Sequence, residues 1–375
     1  MAKPAWIPLS VPDLRGREAE YLAQCVADNW VSSAGPFVTE LEVRMASLAG
    51  RDHAVATVNG TTALHLALIA AGVGRGDRVI VPDWTFGAST NAIYHAGGEP
   101  YFVDVTLESW TLDPELVADV VADRDNRVRA VIAVHALGHP ADMEAIRTVA
   151  GDLPVIEDAA GAIGATYKGR RAGGLGDFGV FSFNGNKTVT AGGGGMVLTD
   201  DETSAKRIRH LSTQARPGST YVHDAIGFNY RMTNLNAAVG LAQLERLDDM
   251  VAARRRIAAR YDDAITGRDD VAAMPRTAWA ESSCWLYSLK TASATDAGSL
   301  IDEFAKARIE ARTFWESLAG QAPYRSAPSR LTGISESLSG TVVSLPCSSH
   351  LTGAEQDRVV AALAAWRGAA LEKAA

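Results

Sequence analysis

Two side chains stand where an open α/β sheet would present them to a ligand: an amine, Lys187, and a carboxylate, Asp158. Lys187 closes the run Ser182-Phe183-Asn184-Gly185-Asn186-Lys187, between the apolar segment Phe178 to Phe183 and another starting at Met196, and the glycines at 192–195 let the chain turn back tightly. Most lysines are solvated surface groups, but one tethered between two strands in such a turn is positioned inward. Asp158 ends the segment that begins at Val155 and is followed by Ala159, Ala160 and Gly161, small residues that let a bulky group approach. An isolated buried carboxylate is costly, so Asp158 needs a cationic partner, and a ring nitrogen held protonated would serve. From this segment alone, a helix-capping aspartate is an equal reading.

Two further segments suit an anionic, planar ligand. Asn59-Gly60-Thr61-Thr62 follows the apolar run Ala54 to Val58 and opens a helical pattern, Ala63 to Ala71, so unpaired N–H groups and two hydroxyls would face outward as a phosphate seat. An ordinary threonine cap is the plainer alternative. Pro82-Asp83-Trp84-Thr85-Phe86 follows a strand ending at Val81 and brings Phe86 to the mouth of the sheet, where it could stack on a ring or simply be core. Gly227-Phe228-Asn229-Tyr230-Arg231 forms a polar loop before a long helical pattern.

Other motifs carry less. Gly174, Gly176 and Gly179 spell the dinucleotide fingerprint, but they lead into a strand instead of opening a helix. Ser182 to Thr188 departs from a P-loop because Asn186 separates Gly185 from Lys187. His135 and His139 stand four apart near Asp142, yet Gly138 and Pro140 break the helix that would bring both rings to one metal, and we expect no metal site.

The elements that must position these groups follow from the apolar pattern. Runs at Ala54 to Val58, Val79 to Val81, Val128 to Val134, Val155 to Glu157, Phe178 to Phe183 and Met196 to Leu198 alternate with helical patterns, which predicts an α/β domain with a mainly parallel sheet. A long helix with its cap at Thr233 or Asn234 is expected to link this lobe to a smaller α+β lobe, with a strand at Trp285 to Leu289 and helices at Leu300 to Arg308 and Ala354 to Ala365. The expected division is an N-terminal segment near the active site (1–34), a large lobe (35–250) and a small lobe (251–375). A net charge of -8 over 375 residues offers no broad basic field for nucleic acid or anionic lipid. No apolar run suits a signal peptide or a membrane span, so the expectation is a cytoplasmic protein, and its three cysteines fit no disulfide framework.

As an ordered set, Asn29-Trp30-Val31-Ser32-Ser33-Ala34-Gly35, Asn59 to Leu64, Glu157-Asp158-Ala159-Ala160, Ser182 to Lys187 and Gly227 to Leu235 resemble the DegT-type nucleotide-sugar aminotransferases. These are fold-type-I proteins that use pyridoxal phosphate (PLP). The resemblance implies that Lys187 is the Schiff-base lysine, that Asp158 partners the pyridine nitrogen, that Phe86 lies on the ring face, and that Gly60, Thr61, Thr62 and Ser182 hold the phosphate. It also implies a homodimer with sites at the interface, Asn229 reaching the neighbouring phosphate. Many members place Gln, Glu or His three residues after the aspartate; this chain has Gly161, and the expected substitute is water or a side chain such as Asn186.

The same resemblance implies L-glutamate as amino donor and a nucleotide-linked keto-sugar as acceptor. Trp30 and Ser32, Trp285-Leu286-Tyr287-Ser288, and Thr313-Phe314-Trp315 through Tyr324 look most like the branch acting on UDP-4-keto-6-deoxy sugars. Substrate contacts are therefore expected at Trp30, Ser32, Asn186, Trp315 and Tyr324. Members that dehydrate sugars replace the lysine with His, whereas Lys187 is present. A cofactor-binding regulator would carry a DNA-binding domain, and no basic helix-turn-helix segment precedes Trp6.

Overall fold

The computed structural model describes residues 4–218 and 220–371, so the outermost ends of the expected N-terminal segment and small lobe lie outside the described residues. Short Val- and Ile-rich runs can bury both faces only inside a sheet covered by helices. They form an eight-stranded sheet in the order His53–Thr57, Gly195–Thr199, Phe178–Ser182, Val155–Asp158, Val128–Val134, Arg78–Pro82, Glu99–Val103, Ser329–Arg330. Gly195–Thr199 pairs antiparallel with both neighbours and every other pairing is parallel, in line with the expected mainly parallel α/β domain. Two strands were not expected. Glu99–Val103 opens on Glu99 and Pro100 and has only the short apolar run Tyr101-Phe102-Val103, and Ser329–Arg330 is exposed on both residues and returns from the C-terminal part of the chain.

The expected linking helix is two. Thr233 caps Asn234–Leu244 by accepting from the Asn236 N–H, and a second helix, Leu247–Ile265, follows after Glu245 and Arg246. Both side chains at the break reach the N-terminal segment: Tyr21 donates to Glu245 at 2.6 Å, and Arg246 pairs with Asp13 at 3.2 Å. A second, antiparallel sheet of Val271–Ala273, Tyr287–Thr291, Val342–Leu345 and Arg312–Thr313 is packed by helices Ala294–Lys306 and Gly353–Ala365. The cores cross chain order: Ile7 and Leu9, and also Trp84, Trp110 and Leu137, pack into the core beneath this second sheet, and Leu318 and Tyr324 pack into a core of the eight-stranded sheet. Among the described residues, no helix is long and apolar enough to cross a membrane.

One buried carboxylate locks the strand that presents Asp158. Glu157, fully buried, accepts from the N–H groups of Gly173, Leu175 and Gly176 at 2.7, 2.5 and 2.6 Å and pairs with His135 Nε2 at 3.0 Å. Burial alone would raise its pKa, but His135 and the backbone donors outweigh burial and hold it below the usual carboxylate range. Glu157→Ala would leave those donors unpaired, so we expect a loss of roughly 3–5 kcal/mol in denaturant unfolding. An unchanged midpoint would contradict this role.

Candidate active site

The carboxyl ends of the central strands open into a cavity of about 280 Å³ lined by, among others, Gly60, Thr61, Phe86, Ser89, His135, Asp158, Ser182, Asn186, Lys187, Trp285 and Trp315. Asp158 stands at its base as the last residue of Val155–Asp158, 6% exposed. Its Oδ2 accepts from Ser89 Oγ at 2.6 Å and its Oδ1 from the Ala160 N–H at 3.1 Å. Both neighbours donate, which suits an ionised carboxylate with lone pairs left for a cation.

Lys187 lies in the loop after Phe178–Ser182, its amide bonded to the Asn184 carbonyl at 3.0 Å. Burial lowers its pKa to about 8, with Asp158 working in the opposite direction. Its Nζ rests 3.4 Å from the centroid of the Trp285 ring. An amine with that pKa is half neutral near pH 8, so a reaction that needs it unprotonated quickens as pH rises through this value and then levels off.

At the cavity's other end, Asn59 caps the helix Gly60–Ala70 by accepting from the Thr62 N–H at 2.8 Å, leaving the first-turn N–H groups of Gly60 and Thr61 without helical acceptors. A Cβ on Gly60 would lie 2.9 Å from Ser182 Cβ, so glycine lets helix start and strand end meet at one spot. An anion is favoured there by the N–H groups and the helix dipole. Pyridoxal phosphate fits this arrangement. Asp158 matches a protonated ring nitrogen, Lys187 an aldehyde carbon, and Thr61, Ser182 and the helix start a phosphate, while Phe86, 65% exposed, flanks the gap.

Several expected residues lie elsewhere. The Thr62 hydroxyl donates to the Asn59 carbonyl at 2.9 Å and is absorbed in the cap. Tyr324 is buried, its hydroxyl donating to Asn91 at 2.7 Å, so it stands behind the cavity wall instead of lining it. Trp30 is 46% exposed, and the carbonyls of Trp30 and Ser32 accept from Asn234 at 2.9 and 2.6 Å, outside this cavity. Asn229 is exposed, beside Thr213. Asn186 and Trp315 do line the cavity.

Ser89 lines the cavity without having been singled out in the sequence, and His135 and Trp285, read there as a loop residue and as part of a substrate-branch segment, line it too. Ser89 sits in the first turn of Gly87–His95, three residues past Phe86, and that spacing was the available signal. His135 belongs to the cavity wall; its Nδ1 accepts from the Ala141 N–H at 3.1 Å, which leaves the proton on Nε2 for Glu157. Trp285 precedes its expected strand, which begins at Tyr287, because its carbonyl and its indole N–H are both engaged outside the sheet.

Comparison with known proteins adds to this geometry. Residues 12–364 match the family model described as the DegT/DnrJ/EryC1/StrS aminotransferase family. A GDP-perosamine synthase from Caulobacter vibrioides is 39% identical over 363 residues, spanning 95% of this chain and 97% of its own. Among solved structures, DesV from S. venezuelae aligns with a TM-score of 0.88 at 31% identity, covering 95% of this chain and 98% of its own. The PLP form of Spr1654 from Streptococcus pneumoniae reaches 0.89 at 27% identity, covering 95% and 97%.

Proposed function

The chain belongs to the DegT/DnrJ/EryC1/StrS aminotransferase family, and from that premise we propose that it is a PLP-dependent enzyme transferring an amino group from L-glutamate to a keto-sugar carried on a nucleotide. The observation that carries this reading is the shared cavity of Lys187 and Asp158, closed at its far end by a helix start. When bound, the cofactor supplies an electron sink for the carbon that loses its proton.

The chain's own residues do the rest. Asp158, oriented by Ser89, keeps the ring nitrogen protonated; Thr61, Ser182 and the amides of the Gly60–Ala70 start hold the phosphate; Lys187, half neutral near pH 8, takes the proton from one carbon and returns it to another. Phe86 and Trp315 form aromatic walls against which ring and sugar can stack.

The motifs around Trp30 and Trp285 favour a UDP-4-keto-6-deoxy-hexose as acceptor, giving a 4-amino sugar, while the relative named GDP-perosamine synthase makes a GDP-linked keto-sugar the rival. Protein loaded with pyridoxamine phosphate, offered UDP-, GDP- and dTDP-linked 3-keto and 4-keto sugars, decides between them by product mass and NMR. Consumption of none of these would refute the reading.

The dimer is part of the proposal, because Trp30, Ser32 and Asn229 lie outside the cavity of their own chain. If Asn229 serves the neighbouring site, Asn229→Ala and Lys187→Ala chains, each nearly inactive, regain activity when mixed, since one site in every hybrid dimer carries neither change. Recovery is expected to approach about a quarter of the unaltered rate for random pairing. No recovery on mixing, with hybrids verified by mass, would place Asn229 outside the site.

A further inference from the structure

Trp285 is held in an unusual way for a residue at a strand entrance. The guanidinium of Arg254, itself 2% exposed, donates to the Trp285 carbonyl at 2.6 Å and to the Cys347 carbonyl at 2.6 Å, so the backbone is fixed from the helix Leu247–Ile265. The preceding Ser283 hydroxyl donates to the Gly161 carbonyl at 3.1 Å. The indole N–H donates to the Asn186 carbonyl at 2.8 Å, one residue before Lys187. These anchors turn the ring face toward the amine, with Lys187 Nζ 3.4 Å from its centroid.

Gly161 makes this placement possible. A Cβ there would lie 2.5 Å from Trp285 Cε3, closer than real side chains approach, and a tight 3.1 Å from Cδ2. Any larger residue at 161 would claim the space that the indole fills.

We propose that Trp285 is the positioning residue for Lys187, its indole face forming the seat that receives the free amine, and that Gly161 is the residue which admits the ring to that seat. This rests on Lys187 being the cofactor-bearing amine. The two roles of Lys187, holding the cofactor and moving protons, require its amine to be released during each cycle without escaping to solvent or collapsing onto Asp158. A π face attracts an ammonium without the full charge of a carboxylate, so it retains the amine while leaving it able to give up a proton. Two titratable groups share the cavity with the amine: Asp158, at the end of Val155–Asp158, and His135, after Val128–Val134, whose proton is engaged by Glu157. Burial lowers the pKa of Lys187 against the opposing pull of Asp158, as a desolvated seat would.

The test is the rate at which the cofactor-free, full-length protein takes up PLP, followed by its visible band from pH 6 to 10, with Lys187→Ala as blank. In the unaltered protein the rate should rise with a midpoint near that of the amine. Trp285→Leu keeps an apolar side chain but removes the π face; its midpoint should fall by about one pH unit, with uptake at pH 7 several-fold faster. Trp285→Phe keeps a face and should stay within about half a unit. Gly161→Ala should lower the midpoint as Trp285→Leu does, and adding it to Trp285→Leu should change nothing further, because both act through one ring. A Leu midpoint that is unchanged or raised, a Phe shift as large as that of Leu, or additive effects of the two sites would overturn the proposal. Absence of any Lys187-dependent band in the unaltered protein would instead overturn the proposed function.

Discussion

Lys187→Ala should abolish the visible band and lower kcat by at least about 10³-fold, since both a covalent tether and a proton carrier are lost, and general acid–base catalysis alone contributes about 10²–10⁴. Lys187→Arg sharpens the expectation. Arginine fills a similar volume and retains the cation–π contact with Trp285, but its guanidinium does not give up a proton at any accessible pH. It should therefore be as inactive as the alanine variant while disturbing the fold less. Cofactor binding is expected to survive in weakened form in both, because Thr61, Ser182 and Asp158 remain. Spectra and single-turnover rates of the two variants, compared at pH 8 with saturating cofactor, carry the test. A band of normal intensity in either would mean that another amine forms the bond, and Lys187 would lose its role.

Much of this site was legible because strand ends and helix starts are local events. The run Val128–Val134 is observed with the bounds read from its apolar residues, and Asp158 and Ser182 end strands that the same pattern marks, with Lys187 in the loop that follows the second. The Asn59-Gly60-Thr61 turn was legible for the same reason, since a cap and a phosphate seat use the same unpaired N–H groups. What the residues did not disclose depends on contacts between segments far apart in the chain. Trp285 reads as strand because its run is apolar, and only Arg254 and Asn186, 31 and 99 positions away, pull it out of the ladder. Thr62 and Tyr324 have the chemistry expected of ligand contacts, but Asn59 and Asn91 engage their hydroxyls. The break between the helices Asn234–Leu244 and Leu247–Ile265 was equally hidden, for it falls where Glu245 and Arg246 meet the N-terminal segment.

Asp158→Asn should slow turnover by about 10–10³-fold at saturating cofactor while changing cofactor affinity far less. An opposite charge in contact holds a titrating nitrogen protonated by about one to three pKa units, and each unit corresponds to a factor of ten in the population of the reactive, protonated ring. Asparagine preserves the shape and the acceptor for Ser89 Oγ, so the substitution removes charge with little change in packing. Ser89→Ala is the informative companion. It leaves the charge but frees one oxygen of the carboxylate, whose other oxygen is still held by the Ala160 N–H, so we expect a loss of about tenfold or less in kcat. Combined, the two changes should cost little more than Asp158→Asn alone, because Ser89 acts only through the carboxylate. Steady-state kinetics with cofactor titrations separate kcat from affinity. If Asp158→Asn left kcat untouched and instead weakened cofactor binding in proportion, the carboxylate would be an anchor and not the group that keeps the ring nitrogen charged.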